Sequence, residues 1–222
     1  NEDYDKYPRA LETDAQVAAD AGVDIIFAPS VDEMYPEGEP LIRISSGELG
    51  NKFEGITRPG HFDGVLTVVN KLFNIVRPAA GSHEVNAYFG QKDAQQVLLV
   101  QRMIHDFNHD ITLRPVAIVR DDDGLALSSR NEFLSEQERE AALVISRTLA
   151  LMRENSLNRG FESIDLESAR ARINSTEGVR LDYLELVDPS NFQPPTADSE
   201  RVLALVAAYV GSTRLIDNMD LL

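Results

Sequence analysis

Between Gly64 and Pro78, six apolar residues (Val65, Val68, Val69, Leu72, Phe73 and Val76) recur at i, i+3, i+4, i+7, i+8 and i+11. That spacing lays one continuous apolar stripe along a helix, and Pro78 stops it. Strand-length apolar runs flank the segment at 41 to 46 and at Asn86 to Phe89. A helix with one apolar face between two such runs has to bury that face against a sheet. This predicts parallel strands joined by crossover helices.

The same alternation extends in both directions. Val23 to Ala28 reads as a buried strand ended by Pro29, after a helix from about Thr13 to Ala21 that Gly22 closes. Residues 41 to 46 read as an edge strand. Asp93 to Phe107 places Val97, Val100, Ile104 and Phe107 on one helix face, and Ile111 to Val119 reads as the next strand. After Arg120 the pattern changes: Asp121 to Gly124 is a turn, and Ser135 with Glu138 forms a capping box that opens a helix to about Glu154. A helix near Ser163 to Ile173 then precedes two strand-like runs, Val179 to Val187 and Arg201 to Tyr209, separated by a Pro-rich turn. We therefore expect an α/β fold of two parts: a nucleotide-type domain over 1–118 with a parallel sheet, and a smaller α+β domain over 119–222.

Composition narrows the function classes. The 222 residues carry a formal charge of −16 and no cysteine. A surface this acidic repels phosphate backbones and anionic headgroups, which argues against nucleic acid and membranes as principal partners. Without cysteine there are no disulfides, thiol nucleophiles or thiolate zinc sites. The most apolar stretch, Val202 to Val210, falls short of the roughly 20 residues that span a bilayer. A cytoplasmic location is expected, and a start at Asn1 without a basic, apolar leader suggests that a preceding N-terminal part is missing.

Two segments have the composition of ligand sites. Phe89-Gly-Gln-Lys-Asp-Ala-Gln-Gln96 joins a strand end to a helix start, the place where open α/β sheets bind ligands. There Gly90 permits close approach, the helix N-terminus offers N–H donors to an anion and Lys92 adds a charge. Asp93 can cap the helix or accept from a sugar hydroxyl, and for these residues taken alone a capping aspartate beside a solvated lysine is the favoured reading. Asp123-Gly-Leu-Ala-Leu-Ser-Ser-Arg-Asn131 offers two hydroxyls and a guanidinium on a loop, a set able to grip a polyphosphate or simply to form a serine-capped turn. His61 sits in Arg58-Pro-Gly-His-Phe62, where capping or packing suits it as well as catalysis, while His83, His105 and His109 read as solvated. No P-loop, G-x-G-x-x-G or G-x-S-x-G motif occurs.

Taken in order, seven segments resemble the pantoate–β-alanine ligase (pantothenate synthetase) family. They are Tyr7-Pro-Arg9, Ile26 to Ser30, Glu54 to Phe62, Thr67 to Phe73, Gly90 to Gln96, Asp123 to Asn131 and Arg214 to Asn218. The resemblance implies a Rossmann-like nucleotidyltransferase domain, a C-terminal domain that closes over it, and a homodimer. It also implies an activity: ATP and Mg2+ convert pantoate to a pantoyl adenylate, and β-alanine then displaces AMP to give pantothenate. Carried over, Gly90, Gln91, Lys92 and Asp93 form the ATP segment, with Lys92 on the phosphates and Asp93 near the ribose. Val119 meets adenine through its backbone. Leu127, Ser128, Ser129 and Arg130 form the mobile phosphate loop, so that Lys92, Ser128, Ser129 and Arg130 act in catalysis. Gln96 binds pantoate, and Val65 and Val69 pack its gem-dimethyl group.

Gln91 and Ala94 stand where the family usually has an acidic and an aromatic residue, and Ala79 to Val85 reads as an insertion. The family's paired-histidine H-x-G-H motif and its first pantoate-binding glutamine lie upstream of the Tyr-Pro-Arg segment, outside this sequence. Two alternatives follow: a non-catalytic fragment that dimerises and binds ligand weakly, or a related adenylate-forming ligase with another acid or amine.

Overall fold

The structure is a computed structural model in which residues 10–78 and 84–222 are described. The Tyr7-Pro-Arg9 segment, His83 and most of the Ala79 to Val85 insertion lie outside the described residues. Contacts divide the chain into two compact units, Asn1–Arg43 and Ile44–Leu222. The first contains α1 (Leu11–Asp20) and α2 (Val31–Met34). A capping box opens α2, in which Ser30 Oγ accepts from the Glu33 N–H and the Glu33 carboxylate accepts from the Ser30 N–H.

The strand expected over Val23 to Ala28 is not formed, nor is the edge strand over 41 to 46. Ile25 is 84% exposed and Phe27 48%. A strand exists through the ladder it shares with a neighbour, and among the described residues no segment pairs with either run.

The second unit carries both sheets. Helix α3 (Glu54–Thr57) leads to α4 (His61–Val76), followed by β1 (Asn86–Gly90), α5 (Ala94–Asp106) and β2 (Thr112–Val116). Strands β1 and β2 pair in parallel, Asn86 opposite Thr112 and Gly90 opposite Val116, as a crossover through α5 requires. The apolar stripe of α4 closes on α5 and β2, where Leu66, Val69 and Phe73 meet Leu99, Met103 and Leu113. His109, expected in solvent, packs its ring edge-on against Phe73 with centroids 5.7 Å apart.

Beyond β2 the architecture becomes antiparallel. Ser135 caps α6 (Glu136–Arg159) with the expected box, and α7 (Leu166–Asn174) precedes β3 (Val179–Val187), β4 (Leu203–Val210) and β5 (Thr213–Asp220). The sheet order is β3-β4-β5, so the continuously apolar β4 is central and covered on both faces. Its side chains divide by parity, as a pleated strand dictates. Ala204, Val206, Ala208 and Val210 join Leu143, Leu149 and Ile173 of the helices, whereas Leu203 and Leu205 meet Leu98 of α5, Val187 and Phe192. That second face ties the antiparallel sheet to the parallel pair.

One glycine fixes the approach to α3. A Cβ at Gly55 would overlap the Gly50 carbonyl oxygen, a contact only backbone movement can relieve. Gly55→Ala is expected to cost about 1–3 kcal/mol, the usual range for forced overpacking, read as a lower urea midpoint. A midpoint equal to that of the parent would show that the 50–55 turn opens freely.

Candidate functional site

At the carboxyl end of β1 the chain makes a 3-10 turn, Gln91–Asp93, before α5 begins. Asn218 of β5 holds this turn in place: its Nδ2 donates to the carbonyls of Gln91 (2.8 Å) and Lys92 (3.0 Å). The neighbouring Asp217, 5% exposed, accepts a bidentate pair from Arg120 at 2.7 and 2.9 Å. The lysine turn is therefore positioned by the antiparallel sheet as well as by its own strand. Burial pulls the Lys92 ammonium below its ordinary pKa, against the attraction of Asp93. Among the described residues the ammonium makes no hydrogen bond or ion pair. It faces a cavity also lined by Asp93, Gln96, Arg130, Arg58 and His61.

Two adjacent glutamines divide the work at the start of α5. Gln95, 4% exposed, donates through Nε2 to the carbonyls of Leu49 (2.7 Å) and Lys52 (2.9 Å), and its Oε1 accepts from the Glu54 N–H at 3.1 Å. Its amide is spent on seating the 49–54 segment. Gln96, one position on, lines the same cavity as Gln95.

On the far wall, Glu54 joins a network that closes the cavity. Arg214 Nη1 and Nη2 donate to its two carboxylate oxygens at 2.7 and 2.8 Å, and the Tyr183 hydroxyl donates at 2.8 Å. Arg214 also donates to Asp182 Oδ2 at 3.0 and 2.7 Å. Burial first, then the Glu54 carboxylate, pushes the Tyr183 phenol well above its usual range. Burial opposes the charge of Arg214, but Glu54 and Asp182 outweigh it and hold the guanidinium more firmly protonated.

Gly60, in the left-handed conformation at φ 77°, turns the chain into α4 and brings Arg58 beside His61, with Nη1···Nε2 at 2.9 Å. Burial, then Arg58, brings the imidazole down to about 4. The unfolded chain thus takes up a proton near pH 6.5, whereas the folded chain does so only near 4. Between those values unfolding binds a proton and stability falls as pH drops, and above 6.5 the effect vanishes. His61→Asn should accordingly lose less stability than the parent from pH 6.5 to 4, read as a narrowing gap between melting curves. Curves that stay parallel over that range would refute the assignment.

Of the residues singled out in the sequence, Lys92, Asp93, Gln96 and Arg130 meet at this cavity. Others lie elsewhere. Gln91 lines a separate groove of about 660 Å³ with Val97, Gln101 and Arg153. Val65 and the 8% exposed Val69 belong to the α4 core cluster. Val119 and Leu127 are 59% and 47% exposed, joined by a Leu127 N–H to Val119 carbonyl bond of 2.9 Å. Ser128 Oγ accepts from the Arg130 N–H at 3.2 Å, so it caps the 3-10 turn Ser129–Phe133. Gly90 ends β1 one residue before the lysine turn. Sequence reasoning passed over Gln95, Glu54 and Tyr183, because a residue that braces a site through tertiary contacts leaves no periodic signal.

Comparison with known proteins bears directly on this arrangement. The chain is 50% identical to the pantothenate synthetase of Paenarthrobacter aurescens, covering 99% of this chain and 77% of that protein. It is 48% identical to that of Corynebacterium glutamicum, again over 99% and 77%. The crystal structure of pantothenate synthetase from Thermus thermophilus superposes with a TM-score of 0.89 at 42% identity, over 99% of this chain and 77% of that one. A pantoate-beta-alanine ligase from Francisella tularensis, complexed with beta-gamma ATP and beta-alanine, superposes with a TM-score of 0.76 at 36% identity, over 98% and 72%. The family model for Pantoate-beta-alanine ligase matches residues 1–220, and the chain belongs to that family.

Proposed function

We propose that this protein condenses (R)-pantoate with β-alanine to pantothenate, using ATP and passing through a pantoyl adenylate with release of AMP and pyrophosphate. The observation that carries this reading is the meeting of Lys92, Gln96 and Arg130 at one cavity in a chain matched to the family from residue 1 to 220. Activation of a carboxylate by ATP concentrates negative charge on the α-phosphate and the departing pyrophosphate. Cations fixed in a partly desolvated cavity stabilise that charge with little reorganisation. Lys92, unpaired among the described residues, is placed for this work, and Arg130 joins it from the 128–131 loop.

In this reading Asp93 accepts from the ribose, and Gly90 and Gln91 pass the nucleotide along the turn. The backbone of Val119 and Leu127, on adjacent exposed segments, meets adenine. Ser128 and Ser129 add hydroxyls to the phosphate loop. Gln96 hydrogen-bonds pantoate, and Val65 and Val69 bound the apolar side of its pocket from within the α4 core. Residues 119–222 act as the closing domain over 1–118, excluding water from an anhydride that hydrolyses readily.

The described residues hold no group of three His, Cys, Asp or Glu able to cage a metal. Mg2+ is proposed to arrive on the triphosphate, where its chemistry would be charge neutralisation. Assembly as a homodimer and a cytoplasmic location complete the proposal. Among the described residues no helix is long and apolar enough to cross a membrane.

The test is direct. Protein expressed from the complete coding sequence, given ATP, Mg2+, pantoate and β-alanine, should yield pantothenate and AMP in equal amounts. Omitting β-alanine should leave pantoate-dependent ATP–pyrophosphate exchange. Absence of both activities would overturn the reading.

A further inference from the structure

We propose that the groove behind the lysine turn, between α5 and the antiparallel sheet, is a second ligand site that takes an apolar monocarboxylate. The site is separate from the substrate cavity and independent of the reaction proposed above.

The groove holds about 660 Å³, within the roughly 300–1,000 Å³ range of small-molecule pockets. Its floor is apolar. Leu98 of α5, Leu203 of β4 and Phe192 between β3 and β4 are buried together where the sheet meets the helix. Val97, Ile118 and Met219 carry that surface up the walls. Water on such a floor finds few polar partners, so an apolar body that displaces it is favoured.

The rim is basic in a chain that is otherwise strongly acidic. The sequence carries 37 Asp and Glu against 21 Lys and Arg. The groove reverses that balance, with Arg102, Arg120, Arg153 and Arg201 in its lining and Asp220 as the single carboxylate among the described residues. A concave surface lined by one sign of charge concentrates the opposite sign.

Three of the four guanidiniums are matched inside the fold. Arg102 donates to Asp106 at 2.8 Å, Arg120 to Asp217 at 2.7 and 2.9 Å, and Arg201 through Nε to Asp220 at 2.9 Å. His105 on the same rim is bonded to Asp106 at 2.9 Å. Arg153 of α6 makes no hydrogen bond or ion pair among the described residues. One unmatched cation over an apolar floor selects a single anionic group and not a polyphosphate. A carboxylate suits it, because the planar guanidinium pairs with that group through two parallel N–H···O contacts. Gln101 of α5 adds a neutral amide donor to the lining.

The site backs onto the catalytic turn. Ala94 and Asn218 line both the groove and the substrate cavity, and Asn218 is the residue that grips the carbonyls of Gln91 and Lys92. An occupant therefore rests against the turn that carries Lys92 without entering the cavity itself.

Octanoate is the probe, with octan-1-ol as the body without the charge and acetate as the charge without the body. Calorimetry on protein from the complete coding sequence should show one octanoate per chain with a Kd on the order of 1 mM or below, given the usual binding free energy per ligand atom. Octan-1-ol and acetate should each bind at least about tenfold more weakly, since each lacks one half of the recognition. Arg153→Glu should weaken octanoate by about tenfold or more, the value of a lost charge-assisted hydrogen bond, and leave octan-1-ol unaffected. Gln101→Trp fills the groove and should abolish binding of both. Both substitutions fall at exposed helix positions, so melting temperatures close to that of the parent should show the fold intact. Saturating ATP and pantoate should leave one octanoate bound per chain. The proposal is overturned by any of four results: no saturable octanoate binding in the parent, octan-1-ol or acetate binding as tightly as octanoate, displacement of octanoate by pantoate, or an octanoate affinity unchanged in either folded variant.

Discussion

Lys92→Ala is expected to lower pantoate-dependent ATP–pyrophosphate exchange by about 10²–10³, the usual loss when one preorganised electrostatic contact to a developing charge is removed. Thermal stability should be unchanged or slightly raised. The ammonium is partly buried, and burial is the largest influence lowering its pKa. Among described residues nothing pairs with it. A charge held that way costs the fold something and is retained for what it does to a ligand. The turn should survive the substitution, since Asn218 grips the carbonyls of Gln91 and Lys92 and not the side chain. Exchange within a few-fold of the parent would remove Lys92 from the phosphate site. A large drop in melting temperature would show that it supports the fold instead.

Arg214→Ala should do the opposite, with a loss of about 3–5 kcal/mol in folding free energy, the range for breaking a buried ion pair by deleting one partner. The guanidinium side chain is 11% exposed and that of Glu54 13%. Removing it strands the Glu54 carboxylate against the Tyr183 hydroxyl and frees Asp182 of β3. The contact joins β5 to α3 across 160 positions of sequence, so the segment carrying Arg58 and His61 should loosen as well. The measurement is urea unfolding followed by circular dichroism. A loss below about 1 kcal/mol, the value of an exposed pair, would show that the network is solvated. Arg214→Lys should recover only part of the difference, because an ammonium cannot span Glu54 and Asp182 in one plane.

The degree to which this molecule was legible varied with the source of each signal. The helices over 61–76, 94–106 and 136–159 and the strand Val179–Val187 are close to their sequence readings, because periodicity and capping are local. Val23 to Ala28 has the composition of a strand and is not one among the described residues, since composition says nothing about whether a partner edge is present. β5 was visible only as the motif Arg214 to Asn218, its alternation masked because Arg214, Asp217 and Asn218 are polar residues spent on tertiary hydrogen bonds and not on solvent.

The sequence by itself determined the family and the chemical inventory. Seven ordered motifs resemble one ATP-dependent ligase family without any coordinates, and the absence of cysteine removes thiol chemistry. Only the tertiary structure decided how those parts are held and which of them meet. It spends the amide of Gln95 on the carbonyls of Leu49 and Lys52, in the lining of the cavity that Gln96 shares. It also sets Arg58 against His61 and makes Asn218, more than 120 positions away, the brace of the lysine turn. The physical reason is that a side chain's role depends on which hydrogen bonds and charges are already satisfied around it. That accounting exists only once distant segments are packed together.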